Sequence, residues 1–526
     1  MNARRLPTLA MIVFAIAALV LADRAATVPV SSDTVAGDAL MPVASPPGAV
    51  SSAFFCAGGA ATTGALFDTT VLVANPGASA ANVLLTTFPA ALPGDVDGMA
   101  AVAPLKPITK EVVVPPRSRV ELHLADLQAS PFAAAVVETN DPDIAVERRV
   151  ATASDAPRVE TSSSPCASSP SDTWYFPTGT TTRDAHELLA VFNPFPVDAV
   201  IDVTFQTSDG FRNPGELQSL PVPGGQLRVL DLSALVPRIE QLAATVISRS
   251  GRVIVDRLQS FDGSDPNHPA GLAATLGAPA PAKVWTFAEG EVGEGINEVF
   301  TLMNPSEAVA NVQLEIGLDN PGTNGAVDPI PVSIPARGFA QVVMRDQTRV
   351  PPNVAHSVTV RSSNDVSVVA ERYIGATAPA PRHGYAPALG APLVATRWLF
   401  VDGRAVAGQT AEFLIVVNAS TDSIAHVRVS ALAQGQLLEI DGLQDVEVAP
   451  GGRLTIELGQ HVNRPDLPVI VEADSSVVVE RGLYAAVGNG ISLACGIPLE
   501  EAASVPSAHA PTSTTTTAGA FPPASS

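Results

Sequence analysis

One ordered set of landmarks recurs four times along this chain, and that recurrence constrains the fold more than any other feature. Each copy opens on an aromatic triplet with a glycine three residues on: Phe54-Phe55-Cys56 with Gly59, Trp174-Tyr175-Phe176 with Gly179, Trp285-Thr286-Phe287 with Gly290, and Trp398-Leu399-Phe400 with Gly403. An apolar strand then ends at Asn75, Asn193, Asn304 or Asn418, followed by proline in the first three copies. A proline-centred turn comes near mid-copy, at Pro115-Pro116, Pro223-Gly224-Gly225, Pro335-Ala336 and Pro450-Gly451-Gly452. A late strand ends in an acid-arginine pair: Glu147-Arg148, Asp256-Arg257, Glu371-Arg372 and Glu480-Arg481. Three copies close on Leu276-Gly277-Ala278-Pro279, Leu389-Gly390-Ala391-Pro392 and Cys495-Gly496-Ile497-Pro498, and the first has Cys166 at the corresponding place. The unit is about 110–120 residues, the size of a domain rather than a solenoid turn.

Inside each copy the apolar runs are short, rich in valine and interrupted by Gly, Pro, Asn and Asp, as in Val253-Ile254-Val255 and Val477-Val478-Val479. No helical period is sustained beyond the leader. The expectation is an all-β fold, a tandem array of four immunoglobulin-like-sized β-sandwich repeats after an N-terminal apolar helix. The repeats span 51–170, 171–282, 283–396 and 397–500. A four-bladed propeller is the rival, but a blade needs only about 40–50 residues.

The ends carry the localisation. Arg4 and Arg5 precede an apolar run over 9–22, and Val20-Leu21-Ala22 sets small residues before Asp23 in an Ala-x-Ala-like cleavage pattern. Residues 1–26 therefore read as a signal peptide or membrane anchor; either puts the remainder at the cell surface or outside the cell. Residues 27–50 read as a flexible linker, and 501–526 as a disordered Ser/Thr/Pro/Ala tail. The formal charge of −22, with Lys106, Lys110 and Lys283 as the only lysines, excludes nucleic acid and anionic lipid as natural partners. Membrane contact is expected only through the N-terminal segment, and the partner is an unknown extracellular or cell-envelope molecule.

Candidate chemistry is sparse. Cys56 stands where other copies have Phe176, Phe287 and Phe400, and Cys166 where two have Leu276 and Leu389. In an oxidising compartment these two core positions, in the first and last strands of one unit, are expected to form a disulfide, leaving Cys495 as a buried free thiol or paired between molecules. The repeated Arg148, Arg257, Arg372 and Arg481 neighbour an acid along a strand, so the two side chains face opposite ways. A strand-end ion pair or a hydrogen bond to a loop, with the arginine near the copy's aromatic, is the expected role, and a repeated ligand site is the alternative. Asn75, Asn193, Asn304 and Asn418 are expected as turn devices, and Trp174, Trp285 and Trp398 as core. Asn418-Ala419-Ser420 matches a glycosylation sequon by accident of composition.

The eight histidines, His123, His186, His268, His356, His383, His426, His461 and His509, fall at unrelated positions and read as scattered surface residues. Asp95-Val96-Asp97-Gly98 and Asp262-Gly263-Ser264-Asp265 offer calcium hard oxygens but lack the closing bidentate glutamate. No nucleophile-base pairing, phosphate loop or metal motif is present, so no catalytic residue, cofactor or metal is expected and the chain is not read as an enzyme.

The layout of aromatic-x-Phe and Gly, then Asn-Pro, then Val-Val-x-Glu-Arg resembles the secreted actinobacterial repeat proteins known only as a domain of unknown function. Cys56, and Cys166 ahead of the next Trp, look like that family too. The resemblance covers roughly residues 50–500 and implies export and a β-rich ectodomain, with no catalytic residue to carry over. The expected role is an exported structural or adhesive cell-surface protein. The alternatives are a cell-wall polymer or carbohydrate binder, or an accessory subunit of an envelope enzyme.

Overall fold

The computed structural model describes residues 40–59, 67–90, 106–152, 160–265, 268–319, 325–433, 435–485, 490–499 and 503–504. The apolar run over 9–22, the Asp95-to-Gly98 loop and His509 lie outside the described residues, as does the 501–526 tail apart from Ala503–Ser504, which pairs with Leu393 and Val394. No helix among the described residues is long and apolar enough to cross a membrane.

The chain is nearly all β, with single-turn helices at Leu124–Leu127 and Leu232–Leu235 among the described residues. Its strands alternate in burial, as Ala81–Ala90 does with Ala81, Val83 and Leu85 inward and Asn82 out. That period of two is what a sheet with one wet face imposes.

In the first group of strands, one antiparallel sheet runs Ser52–Cys56, Phe132–Thr139, Ala81–Ala90, Ile108–Val114. A second runs Ser118–His123, Phe67–Asn75, Ala145–Thr152, Thr161–Pro165. The same order returns in three later groups, ending at Gly271–Leu276, Gly384–Leu389 and Ile491–Cys495. In the last group one long strand, Val469–Ala485, serves both sheets and merges them.

The four groups close on themselves. Thr161–Pro165, Gly271–Leu276, Gly384–Leu389 and Ile491–Cys495 each touch the next, and the last touches the first. These strands meet through side chains: the Ala274 N–H donates to Ser162 Oγ at 3.0 Å, and the Ser163 N–H to Ser492 Oγ at 2.9 Å. The size of the unit, which argues against a propeller blade, does not prevent four such units from forming a ring.

Of the flexible linker expected over 27–50, residues 27–39 lie outside the described residues, and from residue 40 the chain is packed against the sheets. Leu40 and Met41 are buried and, with Pro42, line a small axial cavity of about 80 Å³ between the four closing strands. The Ala44 N–H donates to the Pro498 carbonyl at 3.0 Å, and the Ser45 N–H to the Ile144 carbonyl at 2.9 Å. This strap fastens the fourth group to the first. Leu40 and Met41 seat it, in an apolar socket lined by all four closing strands.

Candidate functional site

The acid-arginine pairs build the joints of the ring. Because neighbours on a strand face opposite ways, each acid turns toward the preceding group and each arginine toward the following one. Arg148 pairs with Asp256, Arg257 with Glu371 at 2.5 Å, Arg372 with Glu480 at 2.5 Å, and Arg481 with Glu147 at 3.0 Å. The fourth pair returns to the first group. Each acid also accepts backbone N–H bonds from the loop after the neighbour's aromatic triplet: Asp256 from Ala57 and Gly58, Glu371 from Thr178, Glu480 from Ala288 and Glu289, and Glu147 from Val401 and Asp402. All four arginines are fully buried. Charges so enclosed stay charged only because both partners and the loop dipoles satisfy them. The expected ion pair is therefore present, but between groups rather than at a strand end within one.

Three arginines lie over the third ring of their own triplet, Arg257 over Phe176 at 5.6 Å, Arg372 over Phe287 at 5.4 Å and Arg481 over Phe400 at 5.4 Å. The same rings rest on the glycine of the closing motif. A Cβ on Gly277, Gly390 or Gly496 would lie 2.6, 2.8 or 2.9 Å from that ring. The first group replaces this packing with a disulfide between Cys56 and Cys166, Cα atoms 4.8 Å apart. The sheet register corrects the expected alignment by one residue. Glu147 faces Pro165 as Asp256 faces Leu276, Glu371 faces Leu389 and Glu480 faces Cys495, so Cys166 stands where the others have glycine. Losing the Phe ring at position 56 frees the space that a side chain at 166 needs, and the bridge fills it. Cys495 matches Pro165, which is why it has no partner of its own; burial pushes its thiol pKa upward and keeps it inert.

A further landmark went unread in the sequence. Six residues before each strand-ending asparagine lies Glu187, Glu298 or Glu412, all buried, with Thr69 at that place in the first group. An acid at a fixed place in an otherwise apolar strand is the signal that could have found it. A Cβ on Gly179, Gly290 or Gly403 would meet this glutamate, within 2.7, 2.9 or 3.1 Å, and still closer the Leu242 carbonyl, the His356 ring or the Leu467 carbonyl, which together explain the glycine that follows each triplet. The first arginine, lacking both ring and glutamate, keeps Nη2 without a protein partner.

These glutamates crowd negative charge beside the joints, and the groups resolve it differently. Glu298 takes a buried histidine, His356 Nε2 at 2.9 Å, so His356 is a core ion and not the surface residue expected. Burial lowers the His356 pKa, but Glu298 more than offsets this and the net shift is upward. Burial, against the pull of Arg257, raises Glu187 to about 7, and burial against Arg481 raises Glu412 to about 8. A carboxyl whose pKa rises on folding stabilises the protonated form, so its contribution is whole below about 4.5 and is lost as pH climbs through 7 to 8. The raised His356 is lost in the same direction, above its ordinary 6.5. Stability should thus fall from pH 5.5 to pH 9 by on the order of 5 kcal/mol. Urea denaturation across that range checks this, and Glu412→Gln should flatten the slope.

The joints are not alike. Two carry an extra arginine bolt. Arg453 of the fourth group holds Glu289 at 2.8 Å and donates to the Ala288 carbonyl at 2.7 Å. Its counterpart Arg119 in the first group donates to the Val401 carbonyl at 2.9 Å beside Asp402. Burial pushes Asp402 up, but Arg404, Arg149 and Arg481 more than offset it and hold the carboxyl far below its ordinary range. Between the second and third groups the acid's place is taken by Thr178 and the arginine's by Phe339. Among the described residues no arginine bolt spans that joint, nor the first-to-second one, where Gly58 and Leu227 stand at these places. At the second-to-third joint the Gln241 amide donates to Gln341 Oε1 at 2.5 Å, and a polar cleft of about 620 Å³ opens there.

The other sequence candidates are structural. Trp174, Trp285 and Trp398 are buried at equivalent places, each indole N–H donating to a carbonyl: Val253 at 2.8 Å, Val368 at 2.7 Å and Val477 at 3.1 Å. Asn75, Asn193, Asn304 and Asn418 accept from the backbone N–H two residues on, and donate to the proline-centred turn through the carbonyls of Val114, Val222, Ile334 and Val448. Asn418 is buried, so its sequon cannot meet a glycosyltransferase in the folded chain. Asp265 of the second candidate calcium loop comes together with Asp184 and His268, their ligand atoms within 4.8 Å of one another, at the edge of the cleft. The His268 ring nitrogen lies 3.0 Å from Asp184, so these groups satisfy each other.

What the geometry defines is an all-β ring clamped at every joint by a buried acid-arginine pair. The resemblance to a family of unknown function holds, for residues 128–266 match the family described as "Family of unknown function (DUF5719)". That stretch contains both members of the first joint, Arg148 and Asp256. No curated protein matches the chain. Among solved structures, the Thermotoga maritima protein 1070 is 17% identical with a TM-score of 0.18, over 21% of this chain and 93% of that one. A Streptomyces avermitilis alpha-L-rhamnosidase complexed with L-rhamnose is 10% identical with a TM-score of 0.10, over 77% of this chain and 54% of that one. Similarities this low carry no argument about fold or activity.

Proposed function

We propose that the chain is an exported, non-enzymatic platform at the cell surface: four immunoglobulin-like β-sandwiches joined into a rigid ring that presents its outer sheets and loops. The cyclic run of acid-arginine joints, from Arg148 round to Glu147, carries this reading. It commits the recurrent charged residues to holding the ring together rather than to a reaction. The disulfide and the N-terminal apolar run suit an oxidising, external compartment. The test is to fractionate cells producing the full chain and treat them with protease. The protein should be outside the cytoplasm and protease-accessible on whole cells; recovery in the cytosol with Cys56 and Cys166 as free thiols would overturn the proposal. The polar cleft between the second and third groups favours a second reading, in which the platform also binds a carbohydrate polymer of the cell envelope.

A further inference from the structure

We infer that the cleft between the second and third groups is a saccharide site that takes a sugar bearing a carboxylate, a uronic acid unit. This rests on the second reading above and gives it a place and a ligand class.

The cleft lies at a joint that has no bolt. At the two bolted joints an acid, Glu289 or Asp402, fills this place and meets an arginine of the following group. Here Thr178 replaces the acid, and its hydroxyl is buried with no hydrogen-bond partner although the residue lines the cavity. Asn297 lines it from the third group, its amide nitrogen donating to the Tyr373 hydroxyl at 3.2 Å while Oδ1 has no partner. Orphaned buried polar groups cost stability unless something satisfies them, and hydroxyl-rich ligands offer both donors and acceptors. Tyr373 and Tyr385, ring centroids 5.4 Å apart, supply the apolar wall against which a sugar ring packs. The volume of about 620 Å³ is within the ordinary range for small-molecule sites.

Charge selects the sugar. Arg238 and Arg345 both border the cleft, one from each group, and neither guanidinium has an ion pair or hydrogen bond among the described residues. Both are exposed, and together they give the cleft a positive side in a chain with 52 acids against 30 lysines and arginines. A guanidinium binds a carboxylate through a fixed pair of N–H donors, which a neutral sugar cannot exploit. Glu240 also borders the cleft, and Asp184 is engaged with His268 beside Asp265, so the site is charged on both sides and favours one orientation of an acidic sugar over a bare anion.

Titration calorimetry of the folded chain with galacturonate and glucuronate, against galactose, glucose and acetate at equal ionic strength, tests this. Expected is saturable binding of a uronate at least about tenfold tighter than its neutral counterpart, with acetate weaker still. Arg345→Ala, at an exposed residue whose loss leaves the joints intact, should abolish that preference, while Thr178→Val should weaken acidic and neutral sugars together. Acetate binding as well as a uronate would make this a simple anion site and overturn the proposal. Equal binding of neutral and acidic sugars would overturn it too, as would no saturable binding of any probe by a chain whose unfolding is unchanged. None of these failures touches the platform reading, which rests on localisation.

Discussion

Arg481→Met should cost the folded chain about 3–5 kcal/mol, the usual result of removing one partner from a buried ion pair. The variant keeps Glu147 enclosed, facing the N–H groups of Val401 and Asp402 at 3.1 and 3.0 Å, but without a countercharge. Glu412 loses the same arginine, which opposes the burial that already holds its pKa up. Adding Glu147→Gln should recover part of the loss, because a neutral amide no longer needs the cation and the two sites are coupled. Arg249→Met, which breaks a half-exposed pair with Asp202, should cost less than about 1 kcal/mol and serves as control. Urea denaturation reads all three; an Arg481→Met chain as stable as the control would mean that the ring does not depend on its closing joint.

Removing the disulfide by Cys56→Ser with Cys166→Ser should cost about 4–5 kcal/mol, given a sequence separation of 110 residues. The more telling variant is Cys56→Phe with Cys166→Gly, which installs the packing of the other three groups. It should recover at least half of that loss without any crosslink, since a phenylalanine ring on a glycine holds Phe176 to Gly277 and Phe287 to Gly390. Cys56→Phe alone should be worse than the serine pair, because the ring meets the side chain at 166. If Phe with Gly is no more stable than the two serines, the one-residue register shift is wrong.

Much of this was legible from pattern alone. The landmark spacing announced β strands and marked the residues that matter at the joints, and a period of two assigned acid and arginine to opposite faces. What it could not supply was the partner across space: Glu147 and Arg481 are far apart in sequence, and nothing local says that they meet. The aligned cysteines misled for a related reason. Reading Cys166 against Leu276 compares neighbours in a string, whereas the register compares residues that face Asp256 and Glu147 across a sheet. His356 was read as surface because a single histidine carries no periodic signal; its burial follows from Glu298, itself hidden in an apolar strand. Leu40 and Met41 were missed because a socket made by four separate strands leaves no trace in the segment that fills it.

Closure also sets the arithmetic by which such a chain can change. An open stack with head-to-tail contacts gains or loses members at its ends, each addition leaving the older contacts alone. A head-to-tail series whose rotation closes has no end at which to add. A fifth member inserted by duplication would have to part Arg481 from Glu147 and dislodge Ala44 and Ser45 from between Pro498 and Ile144. Novelty is therefore confined to substitutions at the joints, where two interfaces do without a bolt and one of them opens a cleft, while the count of members stays locked.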